Sequence, residues 1–369
     1  MVAETLLKSW FPTTAVPFIC NAPMEGVAVS SMATAVSKAG GLGMMAGGLD
    51  PSPNSAQLSA LDAGLRKAAS ALLIQPEQTL PIVLGFITFL PSFQHALDTV
   101  PPLLEKYRVA GVWLSFPQED IHGGVIEKFK KIGAEWGLKV FVQVGTVKAA
   151  RDAATQGADV IVAQGIDAGG HQWAQGSGIV TLVPEIREML DTDFTKRDIA
   201  LIAAGGIMDG RGLAAALALG AEGAAMGTKF LSTKESPASE YLKNKLISTS
   251  DGGVATIKSG HRICLQCLKL INARSSVHDS VQGMSGFWPP LYDGRAIIGE
   301  PYQEHESGST IASLVEKYKA AFTSEDHSRR VVWCGTGVGL IKDTPSSEDV
   351  VKATLNQYKE IISRLSKSK

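Results

Sequence analysis

Eight short apolar runs, most of them followed by a stretch of helical pattern, constrain this chain more than any other feature. They begin with PFICNAP from Pro17, LGMMAGG from Leu42, PIVLGFITF from Pro81 and GVWLSF from Gly111. The series continues with KVFVQVGT from Lys139, DVIVAQG from Asp159, IALIAAGG from Ile199 and GAAMGT from Gly223. Continuous apolar strands suit a parallel sheet covered on both faces, since a half-wet sheet would show alternation instead. The stretches between them carry helix punctuation. VSSMATAVSKAGG offers Ser30 or Ser31 as an N-cap and Gly40 as a stop. Val147, Ala150 and Ala154 share one stripe of a helix ending at Gly157, and the alanine-rich DGRGLAAALALGAEG closes at Gly220. Strand and helix alternating in this way predict an α/β fold, a (β/α)8 TIM barrel. An open doubly wound sheet is the alternative. The number of runs and the glycine-rich ends of the last two favour the barrel.

Beyond Ser232 the rhythm breaks. Residues 233–290 hold polar helical stretches and no obvious buried strand, which predicts a smaller, mostly helical insertion or cap. WPPLYDGRAI from Trp288 reads as an ordered loop, and VVWCGTGVGLI from Val331 contains a glycine-rich turn. The tail from Ser347 reads as an amphipathic helix able to dock on the barrel. The expected division is a ligand-binding barrel over 1–232, the insertion over 233–290, and a C-terminal segment over 291–369 that packs back on the barrel.

Composition removes several function classes. A net charge of -1 over 369 residues gives no reason to expect nucleic acid or an anionic membrane as partner. No uninterrupted apolar run reaches the length of about 18 residues that a membrane span needs. MVAETLLKSWFP lacks the basic start and apolar core of a secretory signal, and SKSK is not a peroxisomal address. Four cysteines in so long a chain fit a reducing, cytoplasmic setting. Of these, Cys264 and Cys267 form a C-x-x-C with His261 three residues upstream, read as one face of a helix, with a zinc or redox site as the alternative. No metal site is expected, and nothing in the chain specifies an oligomeric state.

In a barrel, ligands sit at the C-terminal strand ends, and phosphate is often held by the loops after strands seven and eight. Here those ends read AAGGIMDGRG and AMGTKFLST, where Gly205, Gly206, Gly227 and Thr228 can bare backbone N–H groups. Two tight turns without a ligand are the plainer reading. Met24, in NAPMEG after the first strand, can lie along a flat apolar ring or serve as a core methionine. Gln143 and Gln164 stand at strand ends, where their amides match the polar edge of a flavin ring or are simply structural. AQGIDAGGHQW from Ala163 places Gly169, Gly170 and His171 just past a strand. The glycines allow something to approach the backbone closely, and the histidine offers proton chemistry beside it. Asp167 either orients His171 or is a solvated loop carboxylate; the other six histidines lack comparable surroundings. There is no G-x-S-x-G elbow, and no G-x-G-x-x-G follows the first strand, so neither a serine hydrolase nor a Rossmann nicotinamide site is indicated.

Taken together, APM at Ala22, QVGT at Gln143, AQGIDAGGH at Ala163, AAGGIMDGRG at Ala203 and MGTKF at Met226 resemble the nitronate monooxygenases, formerly called 2-nitropropane dioxygenases. The resemblance runs from about Val16 to Leu340. It implies FMN bound non-covalently at the barrel mouth and His171 as catalytic base. Ala22, Met24, Gly169 and Gly170 would face the flavin ring, with Gln143 and Gln164 at its polar edge. Gly205, Gly206, Gly227 and Thr228 would cradle its phosphate. The implied reaction is oxidation of an alkyl nitronate, or of a nitroalkane after loss of its α-proton, with O2 as final acceptor, to a carbonyl compound and nitrite. The chain departs from the family pattern at three places. Gly85, Phe86 and Ile87 replace the frequent G-V-N, with Thr88 as a partial substitute for the missing amide. Gln143 stands where some members have lysine, and Trp173 where a glycine is frequent. Flavin-dependent reductases of enoyl thioesters or quinones share the architecture, and a non-catalytic flavin-binding protein is the alternative of another class.

Overall fold

The computed structural model describes residues 5–117, 122–259, 276–324 and 326–367. Six parallel strands lead the chain: β1 (Phe18–Asn21), β2 (Gly43–Ala46), β3 (Leu80–Ile87), β4 (Val109–Ser115), β5 (Lys139–Val144) and β6 (Val160–Gln164). The next strand, β7 (Gly170–Trp173), leaves this sheet, and β8 (Ala200–Ala204) and β9 (Gly223–Met226) rejoin it. The eight-stranded sheet runs β1-β9-β8-β6-β5-β4-β3-β2. A parallel bridge between Cys20 and Leu42 brings its two edges together, so the sheet closes into a TIM barrel. All eight apolar runs of the sequence are strands of it.

The strands are apolar throughout because both faces are covered. Phe18, Cys20, Met44, Val83, Trp113, Phe141, Val162, Ile202 and Ala225 fill the barrel, and Leu7 of the first helix, Leu6–Trp10, and Phe11 just after it pack under them. Phe141 stacks on Trp113 at 5.9 Å between ring centres and on Phe11 at 5.9 Å. The opposite faces carry Ile161, Ala163, Leu201 and Ala203 against the surrounding helices. Each large side chain so buried contributes roughly 1.5–3 kcal/mol, and the full interior leaves ligand space only at the strand ends.

The last helix, Ser347–Ser366, starts in a capping box formed by Ser346 and Asp349. It packs on helix Gly210–Ala218, where the Gly210 amide donates to Gln357 Oε1 at 2.8 Å. A Cβ on Gly210 would lie 2.4 Å from the Tyr358 nitrogen, so only glycine permits that crossing.

Above the barrel mouth the chain differs from the sequence reading. WPPLYDGRAI is not a loop: Tyr292–Ile297 forms strand β11. Residues 233–290 contain a short strand, β10 (Thr256–Lys258), as well as helices such as Glu240–Ser248 and Val277–Val281. With β7 they make an antiparallel sheet in the order β10-β11-β7. Asp and Gly within β11 hide its strand character, because β-propensity reflects packing more than backbone preference. Packing supplies what the residues lack. The Tyr292 hydroxyl donates to the Pro117 carbonyl at 2.6 Å, and Gly294 lies under the Trp333 ring, where a Cβ would approach within 2.3 Å.

Candidate active site at the barrel mouth

The site begins at the ends of β5 and β6. Gln143 is buried, and its Oε1 accepts from the Trp113 indole at 3.2 Å. That fixes its amide, so Nε2 donates to Gln164 Oε1 at 2.9 Å. Gln164 Nε2 in turn donates to the His171 carbonyl at 3.1 Å. A line of oriented hydrogen bonds thus runs from the barrel interior to the strand that carries His171. Each amide NH2 keeps a second N–H for a ligand.

Two cations from the cap hold backbone carbonyls at the end of this strand and in the loop before it. Lys258 Nζ donates to the carbonyls of Trp173 (2.7 Å) and Ala174 (2.6 Å), and Arg295 donates to that of Ile166 at 3.3 Å. They stand opposite each other in the β10–β11 ladder. Burial pushes both below their ordinary pKa values, an effect that Asp293 opposes at Lys258 and Asp167 at Arg295.

His171 points its Nε2 at Asp279, 3.0 Å from Oδ1 and 3.1 Å from Oδ2. Asp279 sits on helix Val277–Val281, whose Ser276 N-cap accepts from the Asp279 amide, and its side chain is only 2% exposed. A carboxylate only accepts hydrogen bonds, so Nε2 is the donor in this contact. The imidazole stacks on Trp288 at 3.6 Å and 11° between planes, with Trp333 at 4.8 Å. His278, next to Asp279, is also buried. Desolvation lowers its pKa to about 4, so it is neutral near pH 7, and its Nε2 lies 3.4 Å from the Ile257 carbonyl.

Sequence reasoning missed Asp279, His278, Trp288 and Trp333. Asp167 does not orient His171; its carboxylate accepts from the Thr336 hydroxyl at 3.1 Å. The histidine's carboxylate comes instead from a helix far along the chain, which local spacing could not reveal. Thr88 is buried with its hydroxyl on the Ser115 carbonyl at 3.0 Å.

The glycine-rich ends form the other half of the site. Gly205 and Gly206 follow β8 with φ of +99° and +75°, a backbone that side chains rarely adopt. After β9, a Cβ on Gly227 would lie 3.6 Å from both Ala22 Cβ and Met24 Sδ, which places NAPMEG beside this turn. Met24 is half-buried and also packs on the core. The Thr228 hydroxyl accepts from the Gly335 amide at 3.0 Å. The glycine-rich turn read near Val331 thus belongs to this wall, as the 3-10 turn Thr336–Leu340. Gly169 and Gly170 differ in use. A Cβ on Gly169 would strike the Cys334–Gly335 backbone within 2.2–2.4 Å, whereas Gly170, at φ +66°, has nothing within 4 Å. Gly169 therefore admits this wall, and Gly170 is the one that faces open space.

Among the described residues, no group of histidine, cysteine and carboxylate side chains could hold a metal ion. No described helix is long and apolar enough to cross a membrane. Cys264, Cys267 and His261 lie outside the described residues.

Comparison with known proteins identifies the family. The family model described as nitronate monooxygenase matches residues 128–357. A nitronate monooxygenase of Neurospora crassa is 42% identical over 98% of this chain and 94% of its own length. Nitronate monooxygenase npaC of Metarhizium robertsii is 32% identical over 97% and 95%. In fold, the chain is similar to nitroalkane oxidase from Streptomyces ansochromogenes, with TM-score 0.70, 22% identity and coverage of 97% and 99%. It is likewise similar to FabK from Thermotoga maritima, with TM-score 0.68, 22% identity and full coverage of both chains. Identity and coverage across nearly the whole length show that this chain belongs to the nitronate monooxygenase family.

Proposed function

We propose that this protein oxidises alkyl nitronates with FMN as cofactor and O2 as final acceptor, giving a carbonyl compound and nitrite. The observation that carries the reading is His171 held by Asp279 beside the Gln143–Gln164 amide pair at the strand ends. The cradle tests the cofactor. Gly205 and Gly206 turn at positive φ, Gly227 leaves its backbone uncovered by a side chain of its own, and Thr228 follows it, which suits a phosphate bound by N–H groups. The free amide N–H groups of Gln143 and Gln164 match the acceptor atoms on a flavin edge, and Ala22, Met24 and Gly170 suit its flat ring. These residues fit FMN. When bound, the flavin supplies the electron-accepting chemistry, while the protein positions and polarises.

The chain's own part is proton management and orientation. Asp279 fixes the imidazole so that Nδ1 accepts the α-proton of a neutral nitroalkane. A preformed nitronate needs no such step, and His171 then orients the anion. Trp288 and Trp333 shield the imidazole from water. Lys258 and Arg295 hold the backbone that carries it.

The test is to purify the protein, identify the released flavin by chromatography, and mix the protein anaerobically with a nitronate or with NADPH. Bleaching of FMN absorbance by the nitronate is expected. Rapid bleaching by NADPH alone, or a colourless protein that takes up no FMN, overturns the reading.

A further inference from the structure

Trp288 is 9% exposed, and its indole nitrogen is buried without a hydrogen-bond partner. Elsewhere the buried Trp113 indole donates to Gln143, and the half-buried Trp136 indole donates to the Val109 carbonyl at 2.8 Å. An unmade bond at a buried donor costs about 1–3 kcal/mol, so an orphaned N–H calls for a reason. Rotation cannot relieve it. The Trp288 ring is clamped by Phe89 at 4.9 Å, by Phe116 edge-on at 5.1 Å, and by His171 stacked at 3.6 Å.

We infer that Trp288 is a substrate-binding residue whose indole N–H donates to an oxygen of the nitronate or nitro group. This rests on the nitronate reading above. An indole N–H lies in the plane of its ring, so in a nearly parallel stack it points alongside the imidazole and not into it. A ligand that meets both groups needs an acceptor oxygen for Trp288 and, a bond or two away, a carbon for His171. A nitronate has that layout: two oxygens on nitrogen, with the α-carbon next to it. As the α-proton of a neutral nitroalkane passes to His171, negative charge grows on the nitro oxygens. An indole N–H held in place beside those oxygens would stabilise that charge without reorganisation. The bond to an anion is charge-assisted and stronger than one to a neutral acceptor. Trp288 thus does two things: it shields one face of His171 and supplies the oxyanion donor.

The experiment compares the wild-type holoprotein with Trp288→Phe, which keeps an aromatic ring and loses the N–H. A second variant carries β-(3-benzothienyl)alanine at position 288, where sulfur replaces N–H in a ring of the same shape. Flavin content and melting temperature are measured first. Nitrate, planar and isoelectronic with methyl nitronate, is titrated by calorimetry, and kcat/KM is measured on 2-nitropropane and on its preformed nitronate. A hydrogen bond to a charged group is worth about 1.5–3 kcal/mol, so nitrate affinity and kcat/KM on both substrates should fall roughly ten- to hundred-fold in both variants. Unchanged nitrate affinity in a folded, flavin-loaded benzothienyl variant overturns the inference, because the N–H then holds no anion. Lower thermal stability with wild-type nitrate binding also overturns it, since Trp288 is then only packing. A wild-type protein that binds nitrate but oxidises no nitronate refutes the proposed reaction, while the nitrate comparison still decides the role of Trp288.

Discussion

His171 Nε2 lies 3.0 and 3.1 Å from the two carboxylate oxygens of Asp279, across 108 residues of sequence. One residue belongs to a strand leaving the barrel, the other to a short helix of the cap. The histidine–carboxylate pair therefore joins the strand that follows β6 to the segments over the barrel mouth. Asp279→Ala leaves the Nε2 proton without an acceptor, whereas Asp279→Asn keeps a neutral one. Loss of a charged hydrogen bond, about 1.5–3 kcal/mol, should lower kcat/KM on neutral nitroalkanes roughly ten- to hundred-fold in the alanine variant and less in the asparagine variant. Wild-type rates in both, normalised to bound flavin, would show that the pair serves folding alone.

Replacing His171 itself separates proton transfer from anion binding. General-base catalysis is worth about 10²–10⁴-fold, and His171→Ala should lose that much on nitroalkanes. The preformed nitronate has already shed its proton, so the variant should keep a larger share of that activity. Flavin content should stay near normal, because the proposed phosphate cradle does not include the imidazole. Equal losses on both substrate forms would rule out a proton-specific role.

The phosphate cradle is best probed at Gly227, where a Cβ meets only Ala22 and Met24 at 3.6 Å, an ordinary contact distance. Gly227→Ala should fold and retain most of its FMN. Gly227→Asp adds a carboxylate where the phosphate is proposed to lie, and like charges there repel. That variant should purify colourless with a melting temperature near that of the alanine variant without flavin. Full FMN retention in the aspartate variant, by absorbance and phosphorus analysis, would move the phosphate elsewhere.

His278 gives the cap a pH dependence with a definite sign. Burial lowers its pKa from 6.5 to about 4, against the opposing pull of Asp279. The folded protein therefore binds fewer protons than the unfolded chain between those values. Stability is fully present above about pH 6.5 and is lost as pH falls toward 4, by about 3 kcal/mol at most. Melting temperatures measured across that window should fall less steeply in His278→Gln than in the wild type. Identical slopes would assign the acid sensitivity to other groups.

Sequence alone determined the barrel. Its eight strands are apolar over their whole length because both faces are buried, and that pattern is written locally in runs such as DVIVAQG and IALIAAGG. Sequence also marked the glycine turn at Gly205–Gly206 and the histidine after Gly170, since a positive φ selects glycine whatever lies around it. Tertiary structure decided what surrounds the imidazole. Asp279, Trp288 and Trp333 come from segments with no local signal, and Asp167, the nearer carboxylate, turns to Thr336 instead. The cap sheet was hidden for the same reason. Tyr292–Ile297 is a strand because the Pro117 carbonyl, the Trp333 ring and the partner strands β7 and β10 hold it there, and its own residues contribute little to that choice. A residue's conformation can be legible in its neighbours along the chain, but a hydrogen-bond partner is chosen by the fold that brings distant segments within 3 Å.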